Sequence, residues 1–263
     1  MKKILPIIAT ILVLTGCGSN IPQNTQQQQA VATGTGYNNT KICWGFRKIK
    51  NATPEVPTNV KELLKRYDSF YVGDETRKEI YLTFDEGYEN GYTPKILDIL
   101  KKTKTPAAFF VTGQFVKEHP ELVKRMAEEG HIVGNHSVNH PSFPEVDDTR
   151  LTEEICGLNT MYNKLTGQNM SYLRPRKGEF SERTLALSKK LGYKNIFWSS
   201  AYVDWDVNKQ QGTENAVEKV VSQLHNGNII LLHAVSKDNA EALETIINTA
   251  KNQGYVFKSL DNL

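Results

Sequence analysis

The sequence predicts an α/β protein built around a distorted (β/α) barrel of about seven parallel strands, with an N-terminal extension packed on it. Seven short apolar runs between residue 80 and the C-terminus alternate with segments of helical spacing. This alternation is typical of right-handed βαβ units and therefore of a parallel sheet. With so many repeats, closing the sheet into a barrel covers the strand edges that an open sheet leaves unpaired.

The predicted strands are short apolar runs with polar or turn-forming residues at their ends. They are Ile80–Phe84, Ala107–Thr112, His131–Gly134, Ser171–Arg174, Asn195–Ser199, Asn228–Leu232 and Tyr255–Phe257. Between them, residues 151–165 place apolar side chains at the i, i+4, i+7 rhythm of a helix with one buried face. Further helices are predicted after Ser181, which suits an N-cap, and over residues 217–224 and 243–250.

Residues 41–79 lack this alternation and form the predicted extension. A helical turn is expected over Glu62–Tyr67, and Trp44 and Phe46 are the expected apolar anchors on the barrel. The barrel domain itself is predicted over residues 80–263.

Residues 1–16 are typical of a bacterial signal peptide. Lys2 and Lys3 precede a largely apolar stretch that is too short to span a bilayer. Leu14-Thr15-Gly16-Cys17 resembles the lipobox of bacterial lipoproteins, and this resemblance implies cleavage before Cys17 and acylation of its thiol. Ordinary secretion with a chance cysteine is the alternative. Residues 17–40 are polar and predict a flexible tether, so we expect an extracytoplasmic lipoprotein anchored to the membrane.

The composition excludes several classes of protein. With 39% hydrophobic and 23% charged residues the chain can bury a core, which a disordered or collagen-like protein cannot do. The formal net charge of +3 is small, so no nucleic-acid partner is expected. Removal of residues 1–16 takes two lysines with it and lowers the charge to +1. Any hold on an anionic wall polymer must therefore come from local groups.

Three cysteines are too few for a disulfide framework. Besides Cys17, the chain contains Cys43 and Cys156, which could pair in an oxidising compartment if their Cα atoms lay close together. We favour two separate buried thiols.

Polar side chains follow the predicted strands at the points where the strands end. Asp85-Glu86-Gly87 follows the first strand, and two adjacent carboxylates stay ionised only near a cation or a hydrogen-bond donor. His136 and His140 follow the third strand, and two imidazoles four residues apart can share a metal ion. The alternative is a pair of unrelated surface histidines. Because barrel enzymes carry their chemistry at the carboxyl ends of the strands, we expect these groups to meet.

Three further strands end in the same way. Arg174 ends the fourth, Asp204 and Trp205 lie shortly after the fifth, and His233 follows the sixth. A hydrogen-bonded core histidine is the alternative for His233. Each group alone is weak evidence, but five strand ends together indicate an active site.

The order of these groups resembles the polysaccharide deacetylases of the NodB-homology type, carbohydrate esterase family 4, over roughly residues 80–263. The five matching motifs are Thr83-Phe84-Asp85-Glu86-Gly87, His136-Ser137-Val138-Asn139-His140, Arg174-Pro175, Asp204-Trp205 and Leu231-Leu232-His233. Further sequence segments resemble those of the N-acetylmuramic acid deacetylases that prepare muramic δ-lactam in the spore cortex. They are residues 85–93, Gly178-Glu179-Phe180-Ser181-Glu182, Ala201-Tyr202-Val203-Asp204-Trp205 and Trp44-Gly45-Phe46.

The resemblance implies a hydrolase that removes the N-acetyl group of N-acetylmuramic acid in peptidoglycan, at the cell or forespore envelope. It implies a divalent metal ion held by His136, His140 and Glu86. Zinc is the first choice, with cobalt, manganese or magnesium as alternatives. Peptidoglycan glycan strands are the implied partner.

The resemblance also implies catalytic roles. Asp85 is the implied general base, held in its ionised form by Arg174. His233 is the implied general acid, and Asp204 favours its imidazolium form.

Three further residues are expected at the substrate. The resemblance implies that the backbone N–H of Lys177 contacts the oxyanion and that Trp205 lies against the acetyl methyl group. Arg176 and Lys177 are cationic and would suit the lactyl carboxylate that N-acetylmuramic acid carries and N-acetylglucosamine lacks. Solvated charges at the rim are the alternative for these two residues.

The chain departs from the family pattern at three positions, none of which removes the base, the acid or the two histidines. Glu86 stands where the family has a metal-ligating Asp, Arg176 replaces a second Pro, and Ala201 replaces an acid. Two other functions stay open: an N-acetylglucosamine deacetylase acting on peptidoglycan or chitin, and a catalytically inactive glycan-binding lipoprotein.

Overall fold

A curled sheet of parallel strands forms the centre of the protein, as the sequence predicts. The structure is a computed structural model that describes residues 36–50 and 52–263. The predicted signal peptide, Cys17 and residues 17–35 of the predicted tether lie outside the described residues. In the described part of the chain, no helix is both long enough and apolar enough to cross a bilayer.

Short strands and helices alternate along the described chain. The strands are β1 (Ile42–Cys43), β2 (Arg47–Ile49), β3 (Ala52–Glu55), β4 (Ser69–Phe70), β5 (Glu79–Glu86), β6 (Ala107–Val111), β7 (Ile132–Asn135), β8 (Tyr172–Leu173), β9 (Glu179–Phe180), β10 (Lys194–Ile196), β11 (Ile229–His233) and β12 (Val256–Phe257). The helices are α1 (Thr58–Arg66), α2 (Thr93–Thr103), α3 (Gly113–Glu118), α4 (Pro120–Glu128), α5 (Asp148–Thr166), α6 (Glu182–Lys190), α7 (Thr213–Val221) and α8 (Lys237–Asn252). Each of the seven predicted runs overlaps an observed strand, and the four predicted helices of the barrel correspond to α5, α6, α7 and α8.

The central sheet has the order β11-β5-β6-β7-β8-β10-β4, with β12 beside β5, and every pairing in it is parallel. Its two sides approach each other after β10. Ser199 N–H donates to the Ile229 carbonyl at 2.9 Å, and Leu231 N–H donates to the Ser200 carbonyl at 3.0 Å. These bonds curl the sheet into the predicted barrel-like form.

Alternation along β5 decides which side chains face the inside of the curled sheet. Leu82 and Phe84 pack against the outer helices, whereas Tyr81 packs in a separate interior cluster that includes Phe110. Because successive side chains of a strand point to opposite faces, Asp85 follows Tyr81 to the inside.

The predicted N-cap at Ser181 is confirmed, and local groups also define the two ends of α5. Ser181 caps α6: its hydroxyl accepts the Thr184 N–H, and the Thr184 hydroxyl accepts the Ser181 N–H. Asp147 caps α5, and Gly167 ends that helix with a φ of 76°. Both helices thus satisfy terminal backbone groups locally.

The N-terminal extension is more closely integrated than the sequence predicts, because β4 forms an edge strand of the central sheet and β1 pairs with β9. Trp44 is buried as predicted. Its ring lies 5.2 Å from Tyr71 and 5.1 Å from Phe197 between centroids, and its Nε1–H donates to the Trp198 carbonyl at 3.0 Å. Phe46 packs against the same cluster while half-buried.

Cys43 and Cys156 are not joined by a disulfide. The prediction of two buried thiols is wrong for Cys43, which is exposed on the short strand β1, and Cys156 on α5 is only half-buried. The sequence pattern does not separate these positions, because a two-residue strand has no measurable period.

Candidate active site

Asp85 lies at the carboxyl end of β5, where Arg174 holds its carboxylate. Nη1 of Arg174 donates to Asp85 Oδ1 at 2.8 Å, Nη2 donates to Thr83 Oγ1 at 2.9 Å, and Nε donates to the Ile196 carbonyl at 3.0 Å. The guanidinium carbon lies 4.1 Å from the centroid of the Phe110 ring. Arg174 is fully buried, so these contacts fix both its position and that of the carboxylate.

The charges around Asp85 keep it ionised. Burial favours the neutral acid, but the positive charge of Arg174, with a further contribution from His233, outweighs burial and lowers the pKa of Asp85 below its ordinary value. Oδ2 of Asp85 lies 3.5 Å from His136 Nε2. The carboxylate is therefore an anionic proton acceptor beside the histidine pair.

His136 and His140 follow β7 on a tight loop and bring their rings together. The two Nε2 atoms are 3.0 Å apart. His140 has a φ of 57°, so it lies outside right-handed helical geometry, and Pro141 follows it directly. Nδ1–H of His136 donates to the Arg174 carbonyl at 2.7 Å, which leaves the lone pair on Nε2.

Both imidazoles of the pair are neutral near pH 7. Burial lowers the pKa of His136, and burial together with the neighbouring His136 lowers the pKa of His140 to about 3. Neutral imidazole is the form that binds metal ions, and two nitrogens at 3.0 Å suit adjacent positions on one ion. The pair therefore fits a divalent metal.

Glu86 lies apart from this pair. Its side chain is fully buried, Oε1 has no hydrogen-bond partner, and Oε2 lies 3.5 Å from the Thr93 hydroxyl, which Glu89 also contacts. The physical reason is the alternation of β5, which turns Asp85 and Glu86 to opposite faces. Burial, then Glu89 and Asp85, raise the pKa of Glu86 well above its ordinary value. Across the described residues, no three His, Cys, Asp or Glu side chains are spaced to enclose a metal ion.

His233 ends β11 directly opposite Asp85 in the strand register. Its Nδ1 lies 2.8 Å from Asp204 Oδ1, and its backbone N–H donates to Asp204 Oδ2, also at 2.8 Å. Burial alone lowers the pKa of His233, but the hydrogen bond and charge of Asp204, with a further contribution from Asp85, raise it above its ordinary value. His233 is thus a proton donor facing a proton acceptor.

The remaining predicted residues lie around these groups. Arg176 is one of the charges that act on His140, and its Nε is buried without a partner among the described residues. Lys177 is exposed, with a φ of 51°. Trp205 is 54% exposed, and its ring centroid lies 5.8 Å from that of His233.

Three supporting residues are absent from the sequence-based prediction. Thr83 accepts from Arg174 and donates to the Ile230 carbonyl at 2.6 Å. Asn239 donates to Asp204 Oδ2 at 2.6 Å. Glu154 on α5, described below, holds the histidine loop.

Glu154 is a buried carboxylate behind the histidine loop. Its Oε2 accepts from Asn139 N–H at 2.7 Å, and its Oε1 accepts from Asn139 Nδ2 at 2.9 Å and from Arg150 at 2.6 Å. On the loop itself, His140 N–H donates to the Ser137 hydroxyl at 3.0 Å. A signal for Glu154 is present in the sequence, because it is an acid within the apolar stripe of the predicted helix 151–165.

Comparison with known proteins identifies the family. The polysaccharide deacetylase family model matches residues 72–196. The peptidoglycan-N-acetylmuramic acid deacetylase PdaA of Bacillus subtilis is 49% identical over 86% of this chain and 86% of its own. The chain belongs to the polysaccharide deacetylase family. Deacetylases of this family are generally metal-dependent.

Solved structures agree with this assignment. The structure of PdaA, a family 4 carbohydrate esterase, superposes on the deacetylase with a TM-score of 0.84, covering 86% of this chain and 97% of that one. A family 4 carbohydrate esterase from Bacillus anthracis, 48% identical, has a TM-score of 0.74 with the same coverage. These matches confirm the predicted NodB-type barrel.

Proposed function

We propose that the deacetylase hydrolyses the N-acetyl group of N-acetylmuramic acid in peptidoglycan, and so prepares muramic δ-lactam in the spore cortex. One observation carries the proposal: Asp85 and His233 are opposite each other on neighbouring strands, with pKa values moved in opposite directions. Such a pair is suited to general base and general acid roles at one reacting centre. The 49% identity to PdaA supports the muramoyl substrate.

The first half of the reaction depends on Asp85. Water attacks the acetamide carbonyl carbon while Asp85 takes one of its protons through Oδ2, the oxygen that Arg174 leaves open. Because Arg174 binds Oδ1, the carboxylate stays ionised and cannot turn away. A backbone N–H at Lys177 stabilises the negative charge that develops on the carbonyl oxygen.

The second half depends on His233. Its imidazolium gives a proton to the amide nitrogen as the carbon–nitrogen bond breaks, so acetate and a free amine are released. Asp204 holds the ring through Nδ1 and leaves Nε2 as the proton donor. Trp205, beside His233, forms an apolar wall for the acetyl methyl group.

His136 and His140 would hold the metal ion, which when bound supplies Lewis acidity and lowers the pKa of water. Their nitrogen donors favour zinc or cobalt, and manganese and magnesium, which prefer oxygen ligands, are further alternatives. Glu86 is turned to the opposite face of β5, so the two histidines are the residues that would hold the ion, and Asp85 is left as the base.

The cationic residues beside the pair support the muramoyl substrate. The guanidinium of half-buried Arg176 can donate to the lactyl carboxylate, with exposed Lys177 next to it in the chain. Replacing Arg176 and Lys177 together by alanine is expected to lower kcat/KM on a muramoyl glycan more than on a chitin oligomer. Equal losses on both substrates would reject this role.

We also propose that the protein works outside the cytoplasm, attached to the membrane by a lipid on Cys17 and a tether over residues 17–40. This proposal is supported by the lipobox resemblance and by the peptidoglycan named for PdaA. Labelling with a radioactive fatty acid, compared between the natural chain and C17S, tests it.

Acetate release from peptide-free glycan strands tests the proposed activity. Release is expected from strands that contain N-acetylmuramic acid, with loss on chelation and recovery when zinc is restored. Release from N-acetylglucosamine residues instead would favour the second substrate, and no release from any glycan would favour a pure binding protein.

A further inference from the structure

A cavity of about 500 Å³ has His140, but not His136, among its lining residues. Tyr88, which follows β5, and Gln114 and Lys117 of α3 form its walls, and Thr112 and Asn139 also line it. Its volume lies within the usual range for small-molecule sites. None of the predicted roles uses the residues of this cavity other than His140.

Hydrogen bonds join the segments that line the cavity, so the cavity is preformed. The Thr112 hydroxyl donates to the Gly87 carbonyl at 3.0 Å and accepts from Phe115 N–H at 3.3 Å. Gly113 N–H bonds the carbonyls of Ser137 and Val138 at 3.1 Å each. A side chain at Gly113 would place its Cβ 2.8 Å from the Val138 carbonyl, so the close approach of α3 to the histidine loop requires glycine.

The side chains that line the cavity suit a sugar ring. Tyr88 is 44% exposed and offers a flat apolar face to the C–H surface of a pyranose. Lys117 is exposed and, within the part of the chain that is described, forms no ion pair, so its three N–H donors are available. Gln114, by contrast, already binds Glu118 at 3.2 Å.

We propose that this cavity binds the neutral sugar next to the residue being deacetylated, with Tyr88 stacked on its ring and Lys117 donating to its hydroxyl or acetamide oxygens. This inference rests on the proposed function, because a polymer whose acetamide lies at His136 and His140 must continue along the surface. His140 lines this cavity and also lies beside His136, so the cavity adjoins the proposed site of deacetylation.

The test is binding by isothermal titration calorimetry, with D85N as the common background so that no substrate is consumed. The probes are N-acetylmuramic acid itself and a peptide-free tetrasaccharide of alternating N-acetylglucosamine and N-acetylmuramic acid. We expect the tetrasaccharide to bind more tightly than the monosaccharide. Y88A and K117Q should each raise the Kd of the tetrasaccharide about fivefold or more.

The aromatic role predicts that Y88F retains most of the affinity, since it keeps the ring. Y37A is the matched control, because Tyr37 is 51% exposed and its ring contacts Tyr67 in the extension instead of this cavity. Y37A should leave both Kd values unchanged.

Three results would overturn the inference: equal Kd values for the two sugars, an unchanged tetrasaccharide Kd in Y88A, or a loss in Y88F as large as in Y88A. The proposed function is tested by a separate measurement, acetate release by the natural protein, which has Asp85. Absence of release there would reject the proposed function. Sugar binding in the cavity would still be decided by the Kd values from calorimetry.

Discussion

At the scale of single residues, Asp204 raises the pKa of His233, the proposed general acid. Its two oxygens bind both Nδ1 and the backbone N–H of His233, and Asn239 holds the second oxygen. Burial without Asp204 would favour neutral imidazole. The proposed acid function of His233 therefore depends on its neighbour Asp204.

This dependence predicts a shift in the pH profile. His233 must be protonated to act, so kcat/KM falls as the pH rises through its pKa, which lies above the ordinary value of 6.5. D204N removes the charge that raises this pKa, so the falling limb should move to lower pH by roughly one to three units. D206N is the control, because Asp206 lies in the same loop and pairs with Lys209. An unmoved limb in D204N would contradict the assigned role.

Sequence analysis finds the charged groups at the strand ends but not all of their partners. Asp85, Arg174 and His233 are visible because each follows an apolar run at the edge where a parallel sheet presents its carboxyl ends. The contact of Arg174 with Thr83 and the Ile196 carbonyl is not visible, since it depends on how strands distant in sequence pack. The orientation of Glu86 also follows from the strand register, which the motif alone does not define.

At the scale of elements, the histidine loop is held by helix α5. Glu154 accepts two hydrogen bonds from Asn139, the residue next to His140, and a third from Arg150. Positive φ values at Ser137 and His140 show that the loop adopts a conformation that short-range preferences disfavour. The contact with α5 compensates for that cost and fixes the two rings.

Loss of the Glu154 carboxylate should therefore weaken metal binding without removing a ligand. E154Q is expected to lower the zinc affinity about 10- to 100-fold, the usual effect of removing a group that orients metal ligands. Zinc titration with a competing chelator measures the affinity, and far-UV circular dichroism checks the fold. E153Q is the matched control, since Glu153 is the exposed neighbour. Equal affinities in E154Q and the natural protein would show that α5 does not position the loop.

At the scale of the whole molecule, the extension is part of the same sheet and core as the barrel. The sequence predicts that residues 41–79 are separate from the barrel, because strand-like and helical segments do not alternate there. The structure nevertheless adds β4 to the sheet edge and packs Trp44 against Phe197. Residues 41–79 lack the strand–helix alternation because they pack on the barrel and do not form another βα unit of it.

Truncation of the anchor should reduce the stability of the entire protein. W44A removes a buried ring and a hydrogen bond, and it should lower the free energy of unfolding by about 3–5 kcal/mol, measured by urea denaturation. I49A, on the exposed hairpin strand β2, should cost less than about 0.5 kcal/mol. A small loss in W44A, or two separate transitions in the natural protein, would show that the extension is an independent unit.

In the proposed mechanism, Asp85 transfers a proton and His136 holds the metal ion, so the two functions belong to different residues. Measurement of bound zinc together with acetate release in D85N and H136A tests that division most directly. We predict that D85N retains the zinc of the natural protein and releases acetate at least about 1,000-fold more slowly, since it lacks the base, whereas H136A loses both zinc and activity. Full zinc binding by H136A, or substantial acetate release by D85N, would contradict the account.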